Sequence, residues 1–271
     1  MKKRRIAILY HERERRVRRE YMVHHYARFW RNDGHEVCEL IGLQESPPAD
    51  LLIMHVDLSV VPEEYLAFAR RYPIVINGAV RDIRKKTYST LSVGPEGYDG
   101  KVIVKSNYNY GGVPERMVGL PQPRGPVPEL SFKSPADYRI YDDIGMVPRA
   151  AFDDPNVIVE KFRPEFEDGL YHVRLMVFLG SRAICTRLGS NTPIVNGGTK
   201  THAESVEPDP RVLALAHARG FQFGKFDYVM HEGEPIVFDM NKTVGAPPPT
   251  EDPKLLAGRR HCAEGLYAWF D

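Results

Sequence analysis

Phe226-Asp227-Tyr228-Val229-Met230-His231-Glu232-Gly233-Glu234-Pro235-Ile236-Val237-Phe238-Asp239-Met240-Asn241 is the segment from which the rest of this chain can be ordered. Two apolar runs, 226–230 and 236–238, flank a glycine- and proline-containing turn, the pattern of a β-hairpin. Side chains alternate along a strand, so positions 239 and 241 face one side. A hairpin brings Asp227 close to both. Asp227, Asp239 and Asn241 then form a set of hard oxygen donors, which suits Mg²⁺, with Mn²⁺ as the alternative.

Further pieces precede this hairpin in a definite order. Val102-Ile103-Val104-Lys105 is a strand ending in a lysine, followed by the polar, glycine-ended loop Ser106-Asn107-Tyr108-Asn109-Tyr110-Gly111-Gly112. Val157–Lys161 is a second strand. Its end, Val159-Glu160-Lys161-Phe162, lies just before Glu165 and Glu167. Tyr171–Phe178 and Arg182–Arg187 flank the turn signal Leu179-Gly180-Ser181 and carry Arg174 and Arg187. Lys225 stands two positions before Asp227.

The ordered set resembles the ATP-grasp superfamily over roughly residues 74–248. It looks most like the branch containing glutathione synthetase, D-alanine–D-alanine ligase and the ribosomal-protein glutamate ligase. The resemblance implies an ATP-grasp fold of class α/β (α+β), in which a Rossmann-like parallel α/β unit precedes two α+β subdomains that clamp ATP. The corresponding boundaries are 1–90, 91–162 and 163–271.

The resemblance also implies roles. Lys105 would reach the α/β-phosphates, and the loop ending in Gly111 and Gly112 would fold over the triphosphate, glycine permitting the backbone geometry. Glu160, Lys161 and Phe162 match the hinge whose backbone reads the adenine edge. Glu167 matches the spacing of the ribose-binding carboxylate, with Glu165 as its competitor. The second nucleotide lysine is Lys85 or Lys86, with Lys86 preferred. Arg174, Arg187 and Lys225 would steady the phosphates and developing negative charge. His172 stands where the family often has an acid, and Asp239 where it usually has Glu. Asn196-Gly197-Gly198 falls near the γ-phosphate or the acceptor.

The activity implied is an ATP- and Mg-dependent ligase. A small-molecule or peptide carboxylate would attack the γ-phosphorus, and an amine or related nucleophile would displace phosphate from the acyl phosphate. Bringing two like charges to ~4 Å costs about 4 kcal/mol at an effective dielectric near 20, which the cations and the metal would offset. The alternatives are an ATP-grasp kinase acting on a hydroxyl and a non-catalytic nucleotide-binding module. The charged residues that follow Ile6–Tyr10, in place of a glycine loop, argue against a nicotinamide-dependent Rossmann enzyme.

The first ninety residues support the parallel unit. Ile6–Tyr10, His35–Leu40, Asp50–His55 and Ile74–Asn77 read as strands. Between them, Val23, Tyr26, Ala27 and Trp30 have helical spacing, and Pro62 begins a helix through Glu63–Arg71. Arg81–Leu91 is expected to be helical, residues 121–128 an exposed connection, and Pro253–Phe270 a helix with Leu255, Cys262, Leu266 and Trp269 on its apolar stripe. Asp209 and Pro210 read as the start of another helix.

The chain has 271 residues, 42% hydrophobic and 27% charged, with a net charge of +1. That balance argues against bulk nucleic-acid binding. Nine lysines and arginines against three glutamates give residues 1–20 a net +6. The run His11–Arg19 reads as a solvated loop and helix start, or as a basic lip for an anionic substrate. Three widely spaced cysteines suit a reducing compartment. No segment resembles a signal peptide or a transmembrane helix, so the expectation is a cytoplasmic protein without a membrane partner. A homodimer is left open.

Overall fold

The computed structural model describes residues 2–14, 20–44, 47–121, 124–246 and 250–270. Much of the basic run His11–Arg19, and part of the 121–128 connection, lie outside the described residues.

The N-terminal unit contains β1 (Arg5–Tyr10), α1 (Met22–Asn32), β2 (Glu36–Ile41), β3 (Leu51–Met54), α2 (Glu63–Ala69) and β4 (Val75–Ile76). Its strands form a parallel sheet in the order β2-β1-β3-β4. The apolar run of β1 is buried on both faces, as a central parallel strand requires. Ile6, Ile8 and Tyr10 pack with Tyr26 and Trp30 of α1, while Ala7 and Leu9 pack with Leu66 and Phe68 of α2.

The middle unit is a small antiparallel sheet, β6-β5-β7, built from β5 (Val102–Ser106), β6 (Arg139–Tyr141) and β7 (Val157–Lys161), with α3 (Val113–Met117) and α4 (Ala150–Asp153) as short helices. Leu130 and Phe132 are buried in its core, so the chain after the proline-rich connection is packed rather than exposed.

The third unit comprises β8 (Glu165–Glu167), β9 (Leu170–Leu179), β10 (Arg182–Ser190), β11 (His202–Val206), α5 (Pro210–Ala218), β12 (Phe223–His231), β13 (Glu234–Asn241) and α6 (Pro253–Ala263). The sheet order is β11-β10-β9-β12-β13, with β8 also paired to β9. Alternation divides the two faces of β9 and β12. Met176, Phe178, Phe226 and Tyr228 pack beneath α5. Val177, Leu179 and Phe223 point the other way and join the core of the N-terminal unit.

Two helix expectations are corrected. Arg81–Leu91 contains only a 3-10 turn at Lys85–Thr87. Its amides are committed elsewhere: Ile83 N–H donates to Ser59 O, Lys85 N–H to Asn107 O, and Lys86 N–H to Asn107 Oδ1. Those bonds preclude an i→i−4 ladder. The last helix tightens at Ala263 into a 3-10 segment, Glu264–Trp269. There Gly265 packs so closely on β9 that an added Cβ would lie 1.9 Å from Leu179 O. Cys262 and Leu266 are buried as expected, but Leu255 is 52% exposed. Asp209 caps α5, accepting from Arg211 N–H at 2.9 Å.

Candidate active site

The hairpin β12–β13 forms with Asp227 directly opposite Asp239 and Lys225 opposite Asn241. The register shifts between Asp227 and Tyr228, so Phe238 is an extra residue and forms a β-bulge. The bulge lets two successive residues, Phe238 and Asp239, line one cavity of about 310 Å³ between the middle and third units. That volume is at the lower end of the small-molecule range.

Three lysines converge on the cavity from different elements. Lys105, at the end of β5, pairs with Glu160 of β7. Its Nζ also donates to Phe238 O at 3.3 Å and lies 5.3 Å from the Phe238 ring centroid. Lys85 Nζ is 2.9 Å from Asp239 Oδ1 and donates to Tyr108 O at 3.0 Å. Lys225 Nζ is 2.7 Å from Asp227 Oδ1. Burial pushes both carboxyls up. It prevails at Asp227, where the like charge of Asp239 adds to it against Lys225. At Asp239, Lys85 and Lys225 outweigh burial and hold the carboxyl below its usual range. Burial pulls Lys85 and Lys225 down, but their carboxylate partners more than compensate and raise both. The nearby Tyr138 hydroxyl is pushed up to about 12 by burial.

Asn241 Oδ1 accepts from Thr243 N–H at 2.8 Å, and Thr243 Oγ1 donates to Asp57 at 2.5 Å, which orients the amide. Among the described residues no cluster of three or more His, Cys, Asp and Glu is placed to hold a metal ion. The oxygen-bearing side chains that the hairpin gathers at the cavity are two carboxylates, Asp227 and Asp239, and one amide, Asn241. Both oxygens of Asp227 are held by Lys225, whose Nζ lies 2.7 Å from Oδ1 and donates to Oδ2 at 2.8 Å.

The structure brings Lys105, Glu160, Lys161, Phe162, Lys225, Asp227, Asp239 and Asn241 to the cavity. Gly111 and Gly112 do not line it. With Tyr110 they form three successive left-handed residues, at φ 69°, 77° and 47° respectively, that shape the loop beside it. Of the candidate pair, Lys85 enters the cavity, whereas Lys86 Nζ turns outward to Asp154 O at 2.7 Å. The expected adenine readout by hinge amides is not available from two residues: Lys161 and Phe162 N–H donate to Leu91 O and Lys101 O at 2.8 and 2.9 Å.

Four further candidates do not reach the cavity. Arg174 pairs with Tyr228 in register and faces α5, opposite the side of Val173 and Leu175, which do line it. Arg187 lies across from Arg174 on β10 and shares that face. Glu165 accepts from Arg174 Nη2 at 2.9 Å, Arg187 Nε at 3.0 Å and Met230 N–H at 2.8 Å, and Glu167 pairs with Arg187. The four residues clasp β8 onto the sheet. Asn196 and Gly197 line the cavity beside the apolar Pro193, Ile194 and Val195, as does Asn109, which the strand-and-lysine pattern did not single out.

The sequence matches no protein-family model and no curated protein. Solved structures are similar over nearly the full chain. A RimK domain protein ATP-grasp from Sphaerobacter thermophilus DSM 20745 matches with TM-score 0.51 and 16% identity over 98% of each chain. A D-alanine–D-alanine ligase from Bacillus anthracis, complexed with ATP, matches with TM-score 0.50 and 13% identity over 100% of this chain and 99% of that one. A RiPP-associated ATP-grasp ligase from Chryseobacterium gregarium, in complex with ADP and a leader and core peptide, matches with TM-score 0.52 and 9% identity over 96% of each. With its parallel N-terminal sheet and the two antiparallel sheets that enclose the lysine-lined cavity, the chain has the ATP-grasp fold.

Proposed function

We propose that this protein is an ATP-dependent ligase that joins a carboxylate to an amine, or to a related nucleophile, through an acyl phosphate. One observation carries the reading. The cross-strand pair Asp227/Asp239 and its neighbour Asn241 share a single cavity with Lys85, Lys105 and Lys225, three cations suited to a chain of phosphates. Two of the similar solved structures are named as ligases, and one of them is complexed with ATP.

Asp227, Asp239 and Asn241 would hold Mg²⁺. Bound there, the ion supplies neutralisation of phosphate charge. Lys105, braced by Glu160 and Phe238, would contact the phosphate chain, and Lys85 and Lys225 would turn to it from their carboxylates. Phe162 and Ile103 offer apolar surface for the base. Pro193, Ile194 and Val195 offer an apolar wall that would help keep water from the acyl phosphate. No protein nucleophile is required, because ATP supplies the activation. The acceptor is a small-molecule or peptide carboxylate.

The test is phosphate release from ATP with pools of carboxylates and amines. A ligase releases phosphate only when both classes are present and yields a coupled product. Phosphate left on a hydroxyl would instead identify a kinase, and nucleotide binding without turnover would identify a binding module. Among the described residues no helix is long and apolar enough to cross a membrane.

A further inference from the structure

Ser59 belongs to the N-terminal unit, in the loop after β3, yet it is fully buried and holds three distant segments. Its N–H donates to Glu115 Oε1 of α3 at 2.7 Å. Its carbonyl accepts from Ile83 N–H, in the segment that leads to Lys85, at 2.8 Å. Its hydroxyl oxygen accepts from Asn109 N–H at 2.9 Å. Asn109 opens the loop Asn109–Gly112. On the loop's far side, Gly111 packs so tightly on Ser134 that a Cβ would meet backbone at 3.1 Å. The loop is therefore gripped at both ends.

That grip leaves one donor unused. Asn109 is 2% exposed and lines the cavity, and its Nδ2 has no hydrogen-bond partner among the described residues. A buried amide nitrogen without an acceptor is costly unless a ligand or water supplies one. The acceptor that suits an amide N–H in a lysine-lined cavity is an oxyanion.

We propose that Asn109 donates its side-chain N–H to a phosphoryl oxygen of the nucleotide, and that Ser59 is the positioning residue that aims it. This rests on the nucleotide-binding reading above. The Ser59 hydroxyl fixes the Asn109 backbone, and so the direction of its side chain, from a loop that does not itself line the cavity. A loop without this tether would have to pay the entropy of ordering when nucleotide arrives.

The experiment compares AMPPNP with adenosine by calorimetry in the full chain, and amide exchange across residues 108–112. Asn109→Ala is expected to weaken AMPPNP binding about tenfold and leave adenosine binding unchanged, because adenosine carries no phosphate. Its loop amides stay protected, since the backbone bond to Ser59 remains. Ser59→Ala is expected to weaken AMPPNP similarly while loop exchange accelerates about tenfold or more. Ser59→Thr, which keeps the hydroxyl, should restore both and guards against a folding defect in the alanine variant. Equal weakening of AMPPNP and adenosine in Asn109→Ala, or AMPPNP affinity within about twofold of wild type, would overturn the role of Asn109. Wild-type exchange rates in Ser59→Ala would overturn the tether. If the wild-type protein binds adenosine but gains nothing from phosphates, the nucleotide reading itself fails and this inference with it.

Discussion

Asp239 and Asp227 each face a lysine at contact distance, 2.9 Å for Lys85 and 2.7 Å for Lys225. A carboxylate so paired can serve a metal only if its lysine moves, and the lysine can serve a phosphate only if it leaves the carboxylate. Replacing Asp239 by Asn keeps the shape, removes the charge and frees Lys85. Calorimetry in EDTA should show Asp239→Asn binding metal-free ATP severalfold more tightly than wild type, and in excess Mn²⁺ severalfold more weakly. Unchanged affinity in EDTA would mean that Lys85 never exchanges partners. These carboxylates were legible in the sequence because a turn signal and strand alternation suffice to place residues two apart, and a hairpin supplies the third. The choice of Lys85 over Lys86 was not. It depends on amide bonds to Asn107 and Ser59, which lie far away in the chain and break the helix expected there.

Arg174 and Arg187 belong to the clasp of β8 on the sheet and do not line the cavity. Alternation fixes which residues share a face within one strand but not which face of a sheet a cavity will occupy. The register of Arg174 on Tyr228, beneath α5, settles that for β9. Glu165 sits at the centre of the clasp. Burial pushes its carboxyl up, yet Arg174, the Met230 amide and Arg187 outweigh burial and hold it below its ordinary value of 4.5. A depressed carboxyl contributes stability that is present above 4.5 and is lost as pH falls through the folded value. Glu165→Gln is therefore expected to lower unfolding free energy at pH 7 by about 1–3 kcal/mol. Urea titrations should show the gap narrowing steadily as the pH drops below that range. A gap independent of pH would show that the charge is not what holds β8.

The N-terminal unit has the parallel topology that its strand–helix alternation announces, but the core on the α1 side of its sheet is not its own. Val177, Leu179 and Phe223 of the third unit, and Cys262, Ala263 and Leu266 near the C-terminus, complete the packing around Tyr26 and Trp30. Trp30 Nε1 donates to Ala263 O at 2.8 Å, and Arg260 binds Asp33 at 2.9 Å. A fragment of residues 1–90 leaves that apolar face in water, so it should show no cooperative thermal transition by circular dichroism. A sharp, reversible melt of the fragment would contradict the shared core. Local periodicity places elements along successive stretches but carries no signal that the last helix returns to the first. That contact is encoded only in the shapes of buried side chains on both sides.

The three ion pairs that line the cavity, Lys85–Asp239, Lys105–Glu160 and Lys225–Asp227, have a kinetic corollary. Positive and negative charges cancel within the chamber, so it projects little long-range field. Diffusional capture of a polyanion then falls to rim cations such as Lys161 and Arg163, and the association rate should respond only weakly to ionic strength. Selectivity for the charged guest arises after encounter, when internal partners are traded for those on the incoming molecule.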